Sequence, residues 1–205
     1  MLGDFIRGFS NALSDNVCDE LIAWFENTEF KKNTNFKIEV TDRTSRKDVA
    51  KWLPEKHLLY KELEFCKMKM LKQYLAEFPY AYREQKNLIS KDSKIQRTEP
   101  MGGGFHNFHS EISNINDSTR ALVWTVYLND IPDGEGETEF LYEKIRVQPK
   151  KGMGCIFPAA WMYQHRGNPV HAHSKYIATG WYHYPTLEQQ RLQAPVQLNR
   201  KEGIN

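Results

Sequence analysis

The sequence predicts a fold of the α+β class that is mainly β, with supporting helices at the N-terminus. Three observations carry this expectation. Apolar residues recur at steps of three or four between Val17 and Phe25, and again between Leu59 and Phe78, which is the period of a half-buried helix. From Lys94 onward the pattern changes to short alternating segments separated by turn residues, which is the period of strands. No repeat of fixed period and no low-complexity linker divides the 205 residues, so one domain is expected. Within it, residues 1–93 are expected to be mostly helical support, 94–184 the β core and 185–205 a polar, partly ordered tail.

Taken in order, Ser14 or Asp15 is placed to cap a first helix whose apolar face is Val17, Leu21, Ile22 and Phe25. Residues 31–48 are polar and predict an extended or irregular connection; the stretch TDRTSRKD, with Arg43 and Arg46, is a solvated loop or one leaning over a site. Pro54 or Glu55 is expected to open a long helix, because proline is tolerated in a first helical turn. Leu59, Leu63, Cys66, Met70 and Tyr74 form its stripe, Leu71, Leu75 and Phe78 widen it, and Pro79 stops it. RALVWTVYLN at 120–129 alternates with both faces apolar, as in a strand covered on two sides. Shorter strands follow near Thr138–Tyr142 and Gly152–Pro158. The last strand, from about Ser174 to Tyr184, puts Lys175, Ile177, Thr179, Trp181 and His183 on one face. Helices first and many short strands afterwards favour two packed sheets with helices outside, and a double-stranded β-helix (jelly roll) is the specific expectation.

Composition narrows the function classes. Charged residues make up 26% and apolar ones 40%, which is globular rather than disordered. A net charge of +2 without long Lys/Arg blocks offers no footprint for nucleic acid, and no apolar run approaches a membrane span. Cys18, Cys66 and Cys155 are odd in number and lack CxxC spacing, so they predict reduced thiols in a cytoplasmic setting. Nothing in the sequence sets an oligomeric state.

The residues that carry chemistry begin in GGGFHNFHSE at 102–111. His109 and Glu111 are two apart, so on a strand both side chains face the same way and can converge on one metal ion. A second histidine from a later strand would complete the two-histidine, one-carboxylate facial triad of non-haem iron oxygenases. Lys175 alternates with Ile177, Thr179 and Trp181 and therefore points inward, where an ammonium needs an anionic partner. His165 lies ten residues upstream across a tight turn. His171 and His173 are a rival pair without a nearby carboxylate, His106 is out of phase with His109, and His57 falls on the long helix as a surface or structural residue.

Over about Lys94 to Tyr184 the chain resembles the Fe(II)- and 2-oxoglutarate-dependent oxygenases, in particular their prolyl 4-hydroxylase-like branch. HSE at 109–111 resembles the His-x-Asp/Glu iron pair, and Tyr-Leu-Asn-Asp at 127–130 a strand end whose tyrosine contacts the cosubstrate. GEGETEF at 134–140 is similar to a Gly-Gly-x-Thr-x-Phe hairpin with Glu135 in place of the first glycine. His165 with Pro169-Val170 resembles the distal iron ligand, and Lys175 with Trp181 six residues later resembles the cosubstrate's basic anchor and its neighbouring tryptophan. The resemblance implies Fe(II) held by His109, Glu111 and His165. It implies 2-oxoglutarate anchored by Lys175, with Tyr127 or Thr179 giving a hydrogen bond to its far carboxylate and Trp181 nearby; ascorbate is an accessory reductant. It implies hydroxylation of a C–H bond, on a prolyl residue of a peptide or protein substrate, with succinate and CO2 as co-products. Two departures stand out: Glu111 where Asp is commoner, and Gln96, Thr98 and Glu99 where the family often has a tyrosine. Two alternatives stay open, an oxygenase acting on a free amino acid or other small molecule, and a jelly-roll binding module without catalysis.

Overall fold

The computed structural model describes residues 5–28, 38–43, 46–79, 88–186 and 188–189. Helix α1 (Asp15–Asn27) begins where expected: the Ser14 hydroxyl accepts from the Val17 N–H, satisfying one of the amides that a first helical turn leaves unpaired. Its buried residues are Cys18, Leu21 and Phe25. Helix α2 (Leu58–Glu77) starts later than Pro54 or Glu55. The His57 N–H turns back to the Pro54 carbonyl, and the His57 ring accepts from the Leu59 N–H, so His57 is the cap and the proline lies in the preceding turn. The stripe Leu59, Leu63, Cys66, Met70, Tyr74 and Leu75 is buried. Lys67 is buried with it, donating to Ser93 Oγ at 3.0 Å and lying 4.9 Å from the Trp124 ring centre.

Eleven strands follow one another among the described residues: β1 (Arg7–Phe9), β2 (Ile38–Arg43), β3 (Arg46–Trp52), β4 (Ile89–Thr98), β5 (Gly104–Phe105), β6 (Arg120–Tyr127), β7 (Thr138–Phe140), β8 (Ile145–Val147), β9 (Gly154–Pro158), β10 (His165–Gly167) and β11 (Lys175–His183). The large antiparallel sheet has the order β1-β9-β6-β11-β4-β3-β2, with β5 attached to β3; the small one has the order β10-β7-β8. They form two facing layers, as the jelly-roll expectation requires, without closing into a barrel.

The region before residue 94 is less purely helical than expected. Where an extended or irregular connection was expected over 31–48, with a loop at 41–48, residues 38–43 and 46–52 pair as an antiparallel hairpin, and β3 pairs in turn with β4. Residues 29–37 and 44–45 lie outside the described residues, as do 190–205 of the polar tail. Polarity misleads at 46–48 because the charges satisfy one another: Arg46 Nε donates to Asp48 Oδ2 at 2.8 Å, and the Gln96 amide donates to the same carboxylate. That network lets Asp48 be buried within a strand.

Strand β6 serves both layers, as its two apolar faces predict. Leu122, Trp124 and Val126 pack with α1 and α2, while Val123 and Tyr127 pack toward the small sheet with Phe140, Val147 and Phe157. Aligned across the large sheet are Trp52 (β3), Lys94 (β4), Thr179 (β11) and Thr125 (β6). The next aligned set toward the start of β11 is Ala50, Gln96, Ile177 and Tyr127. Lys94, Gln96, Ile177 and Thr179 face a cavity of about 400 Å³ between the layers. No helix among the described residues is long and apolar enough to cross a membrane.

Candidate metal centre

His109 and His165 are brought together by backbone pairing. The N–H of each donates to the carbonyl of the other, at 3.0 and 2.9 Å, forming one isolated antiparallel bridge. His109 and Glu111 therefore sit on a bridge and a bend after β5 and not on the regular strand expected from their spacing. The single bridge supplies the register that a strand would have supplied, and the turn around Ile115–Asp117 ends it.

The side chains converge. Glu111 Oε1 lies 3.8 Å from His109 Nε2 and 3.4 Å from His165 Nε2, and one donor atom from each of the three residues falls within 4.8 Å of the others. No other such group occurs among the described residues, so the rival pair His171 and His173 is not part of one. His106 does not line the cavity; its ring lies against Gly104.

Each imidazole is oriented by a carbonyl. His109 Nδ1 is 3.0 Å from Asn107 O, and His165 Nδ1 is 3.1 Å from Tyr163 O. A carbonyl only accepts, so Nδ1 carries the proton in both rings and the Nε2 lone pairs are left facing Glu111. Phe105 stacks on His109 at 3.7 Å between ring centres and fixes the ring plane. Burial and the neighbouring His165 push the His109 imidazole down to about 4, which keeps it neutral and able to coordinate. Burial pushes the Glu111 carboxyl up, but hydrogen bonding and charge from the two imidazoles in their protonated forms, together with Lys94, outweigh that and bring it down to about 2.

Glu111 is itself held from behind. Its Oε2 accepts from the Trp181 indole N–H at 2.9 Å, leaving Oε1 toward the histidines. Arg120 stacks on a face of that indole, 3.9 Å from the ring centre, and donates to the Glu111 carbonyl at 2.7 Å. Two imidazoles with Nε2 turned toward one oriented carboxylate suit a divalent transition metal and leave coordination positions free. The donor set fits iron.

The residues expected around an organic acid are placed unequally. Lys175 is buried; its ammonium donates to Gly136 O at 2.5 Å and lies 5.5 Å from the Tyr127 ring centre. No carboxylate comes within 4.0 Å of it among the described residues, and burial pushes it down to about 8 despite the more distant Glu137. A cation so placed fits an incoming carboxylate. Gly136 makes this approach possible: its φ is +62°, and a Cβ there would meet Val170 at 2.8 Å. Thus the hairpin glycine that matters is the one the sequence keeps, while Glu135 in the preceding position accepts from the His171 and Ala172 amides.

Tyr127 lies beneath Lys175 with its hydroxyl 2.8 Å from Thr138 Oγ1, and it is Thr138 that reaches the cavity wall. Thr179 lines the cavity, but its hydroxyl donates to Trp124 O at 2.9 Å, so the proton expected for the organic acid is used by the sheet. Trp181, expected beside the acid anchor, is at the metal end: six residues of strand separate it from Lys175 by about 20 Å, and its N–H goes to Glu111.

Sequence reasoning did not single out Lys94, Arg120 or Thr138 as cavity residues, and it placed Arg46 only in a loop that was solvated or leaning over a site and Gln96 only as a departure from the family's tyrosine. The two-residue steps Lys94, Gln96, Thr98 on β4 were the available signal, but nothing local says which face of that strand is enclosed.

Residues 93–183 match the family model of the 2OG-Fe(II) oxygenase superfamily. A comparison with curated proteins found no match. Among solved structures, the chain is similar to the viral collagen prolyl hydroxylase of Paramecium Bursaria Chlorella virus-1 in its 2OG complex. That likeness has a TM-score of 0.68 and 23% identity over 89% of this chain and 98% of that chain. It is also similar to a Pseudomonas putida prolyl-4-hydroxylase, with a TM-score of 0.67 and 16% identity over 89% and 94% of the two chains. A prolyl hydroxylase from Trichoplax adhaerens, in complex with a hypoxia inducible factor peptide fragment, gives a TM-score of 0.65 and 14% identity over 93% and 88%. At these identities the likeness establishes a shared fold.

Proposed function

We propose that the chain, whose residues 93–183 belong to the 2OG-Fe(II) oxygenase superfamily, hydroxylates a C–H bond of a prolyl residue in a peptide or protein substrate. It is an enzyme, a dioxygenase of the Fe(II)- and 2-oxoglutarate-dependent kind. The observation that carries the reading is the convergence of His109 Nε2, His165 Nε2 and Glu111 Oε1 at the wall of a cavity that also holds the buried, carboxylate-free Lys175.

When bound, iron and 2-oxoglutarate supply an oxidative decarboxylation: O2, the keto acid and R–H become succinate, CO2 and R–OH, one oxygen atom going to each organic product. The chain's own residues do the rest. His109 and His165 give Nε2 donors whose direction is fixed by Asn107 and Tyr163. Glu111 supplies the single negative charge, and Trp181 with Arg120 keeps it from rotating away. Lys175 pairs with the keto acid's far carboxylate in a charge-assisted contact at a buried end of the cavity, and Tyr127 supports it from below. Phe105 and Phe157, both against histidine rings, keep the metal end apolar.

The prolyl assignment is supported by the substrates named for the relatives of the same fold, a collagen prolyl hydroxylase and one bound to a hypoxia inducible factor peptide. Cys18, Cys66 and Cys155 are free and buried, which supports a reducing, cytoplasmic setting. The test is incubation of a proline-containing peptide library with protein, Fe(II), 2-oxoglutarate and ascorbate. Mass spectrometry is expected to show a gain of one oxygen on proline with succinate in equal amount. Succinate formed with a small acid or free amino acid, and no oxygen on any peptide, would refute the prolyl assignment.

A further inference from the structure

Lys94 is the second buried lysine of the cavity and the less explained one. It is 8% exposed, lines the cavity, and lies 5.5 Å from the Trp181 ring centre and 6.0 Å from that of Trp52. Among the described residues its ammonium has no hydrogen-bond acceptor and no carboxylate within 4.0 Å. The cavity's arginines differ in this respect. Arg46 is paired with Asp48, Arg120 with Asp117 and Glu111, and Arg166 with Glu139. Their charges are already used within the protein.

Lysine is seldom buried without an anion, because desolvating the ammonium is expensive. Here burial and the nearby Arg46 disfavour the charged form, and the carboxylates of Glu111, Asp48 and Glu39 offset this only in part, so the fold bears a cost at this position. The dianionic keto acid does not relieve it. One of its carboxylates belongs at the metal and the other at Lys175, whose ammonium is tied to Gly136 O. Lys94 sits opposite Thr179, four residues along β11 from Lys175, or about 13 Å of strand. Its indole neighbour Trp181 is the one bonded to Glu111, so Lys94 faces the metal end. A cation there meets whatever lies against the reacting carbon.

Resting on the hydroxylase reading above, we infer that Lys94, between Trp52 and Trp181, is a specificity residue that binds a carboxylate of the substrate close to the hydroxylated carbon. Two sources present that chemistry. One is an aspartate or glutamate side chain beside the target residue within a peptide; the other is the free α-carboxylate of a terminal or free amino acid. The flanking indoles add a flat apolar wall, and Gln96, two residues along the same strand, adds an amide.

The experiment measures binding of three matched peptides to the whole protein loaded with 2-oxoglutarate and Mn(II), so that turnover does not interfere. The first is acetyl-Ala-Pro-Asp-Ala-amide, the second carries Asn in place of Asp, and the third is acetyl-Ala-Pro with a free C-terminus. Wild type is expected to bind one of the carboxylate probes on the order of tenfold more tightly than the Asn peptide, the increment of a charge-assisted contact. Which probe gains identifies the source. Lys94→Met is expected to bring the ratio within about twofold, and Lys94→Arg to keep it. Equal binding of all three peptides by wild type overturns the inference without any variant. So does a preference that survives in folded Lys94→Met, or a Lys94→Met protein that loses 2-oxoglutarate and keeps the peptide ratio. If no peptide gains oxygen with Fe(II) while the carboxylate preference persists and depends on Lys94, the hydroxylase reading fails and the anion subsite stands.

Discussion

Replacing Lys175 by Met should make the free protein more stable and the enzyme worse. The Lys175 ammonium is buried at the cavity wall, and burial holds it at about 8 against an ordinary 10.5. At about 1.4 kcal/mol per pH unit, keeping it charged at neutral pH costs the fold about 3 kcal/mol. Methionine fills similar volume without charge. It forfeits the hydrogen bond to Gly136 O, worth about 1 kcal/mol. The expected net gain is about 2 kcal/mol, or about 4–8 °C in Tm for a chain of this size. The sign can be checked by pH. Because the folded value lies below the unfolded one, folding releases a proton only between about pH 8 and 10.5, where the unfolded lysine is charged and the folded one is not. The wild-type penalty is therefore full below about pH 8 and disappears between about 8 and 10.5. The Tm difference between the proteins should shrink over that window. Affinity for 2-oxoglutarate, read by calorimetry with Mn(II), should fall by about 10- to 150-fold, the equivalent of a charge-assisted bond of about 1.5–3 kcal/mol. A Lys175→Met protein that is less stable than wild type at pH 7, or that binds 2-oxoglutarate equally well, would show that Lys175 is not an anchor held ready for an anion.

Three more outcomes follow from the same geometry. Trp181→Phe keeps a ring beside Arg120 but removes the N–H that holds Glu111 Oε2, so Fe(II) or Mn(II) affinity should drop by about 10- to 100-fold with little change in Tm; unchanged metal affinity would detach Trp181 from the metal centre. His109→Ala and His165→Ala should each abolish stoichiometric metal binding in an equilibrium titration and with it succinate formation, and full activity in either variant would remove that histidine from the centre. Gly136→Ala combines a φ of +62° with a Cβ 2.8 Å from Val170, so a destabilisation of about 1–3 kcal/mol is expected, together with weaker 2-oxoglutarate binding as Lys175 is displaced; a denaturant titration matching wild type would contradict the close approach.

The sequence by itself determined the elements whose signal is periodic and local. The stripe of α2, the cap at Ser14, the doubly apolar β6 and the inward alternation of β11 are short-range patterns imposed by burial, and they reappear in the fold. Types and order of the candidate metal donors were equally legible, because three residues of restricted chemistry stand in a recognisable sequence and the fold brings them together. Tertiary structure alone decided what each side chain spends its hydrogen bonds on. Thr179 gives its proton to Trp124 O, Trp181 serves Glu111 instead of the acid anchor, and His109 is placed by one bridge to His165 and not by a strand. The polar run at 46–48 became a strand because Arg46 and Asp48 pair along β3 and Gln96 joins them across from the neighbouring strand β4. Such partners come from strands far apart in the chain, and one-dimensional spacing carries no record of which face meets which. For the same reason Lys94 was invisible as a site residue until β4 lay between β3 and β11, enclosing its charge between two indoles.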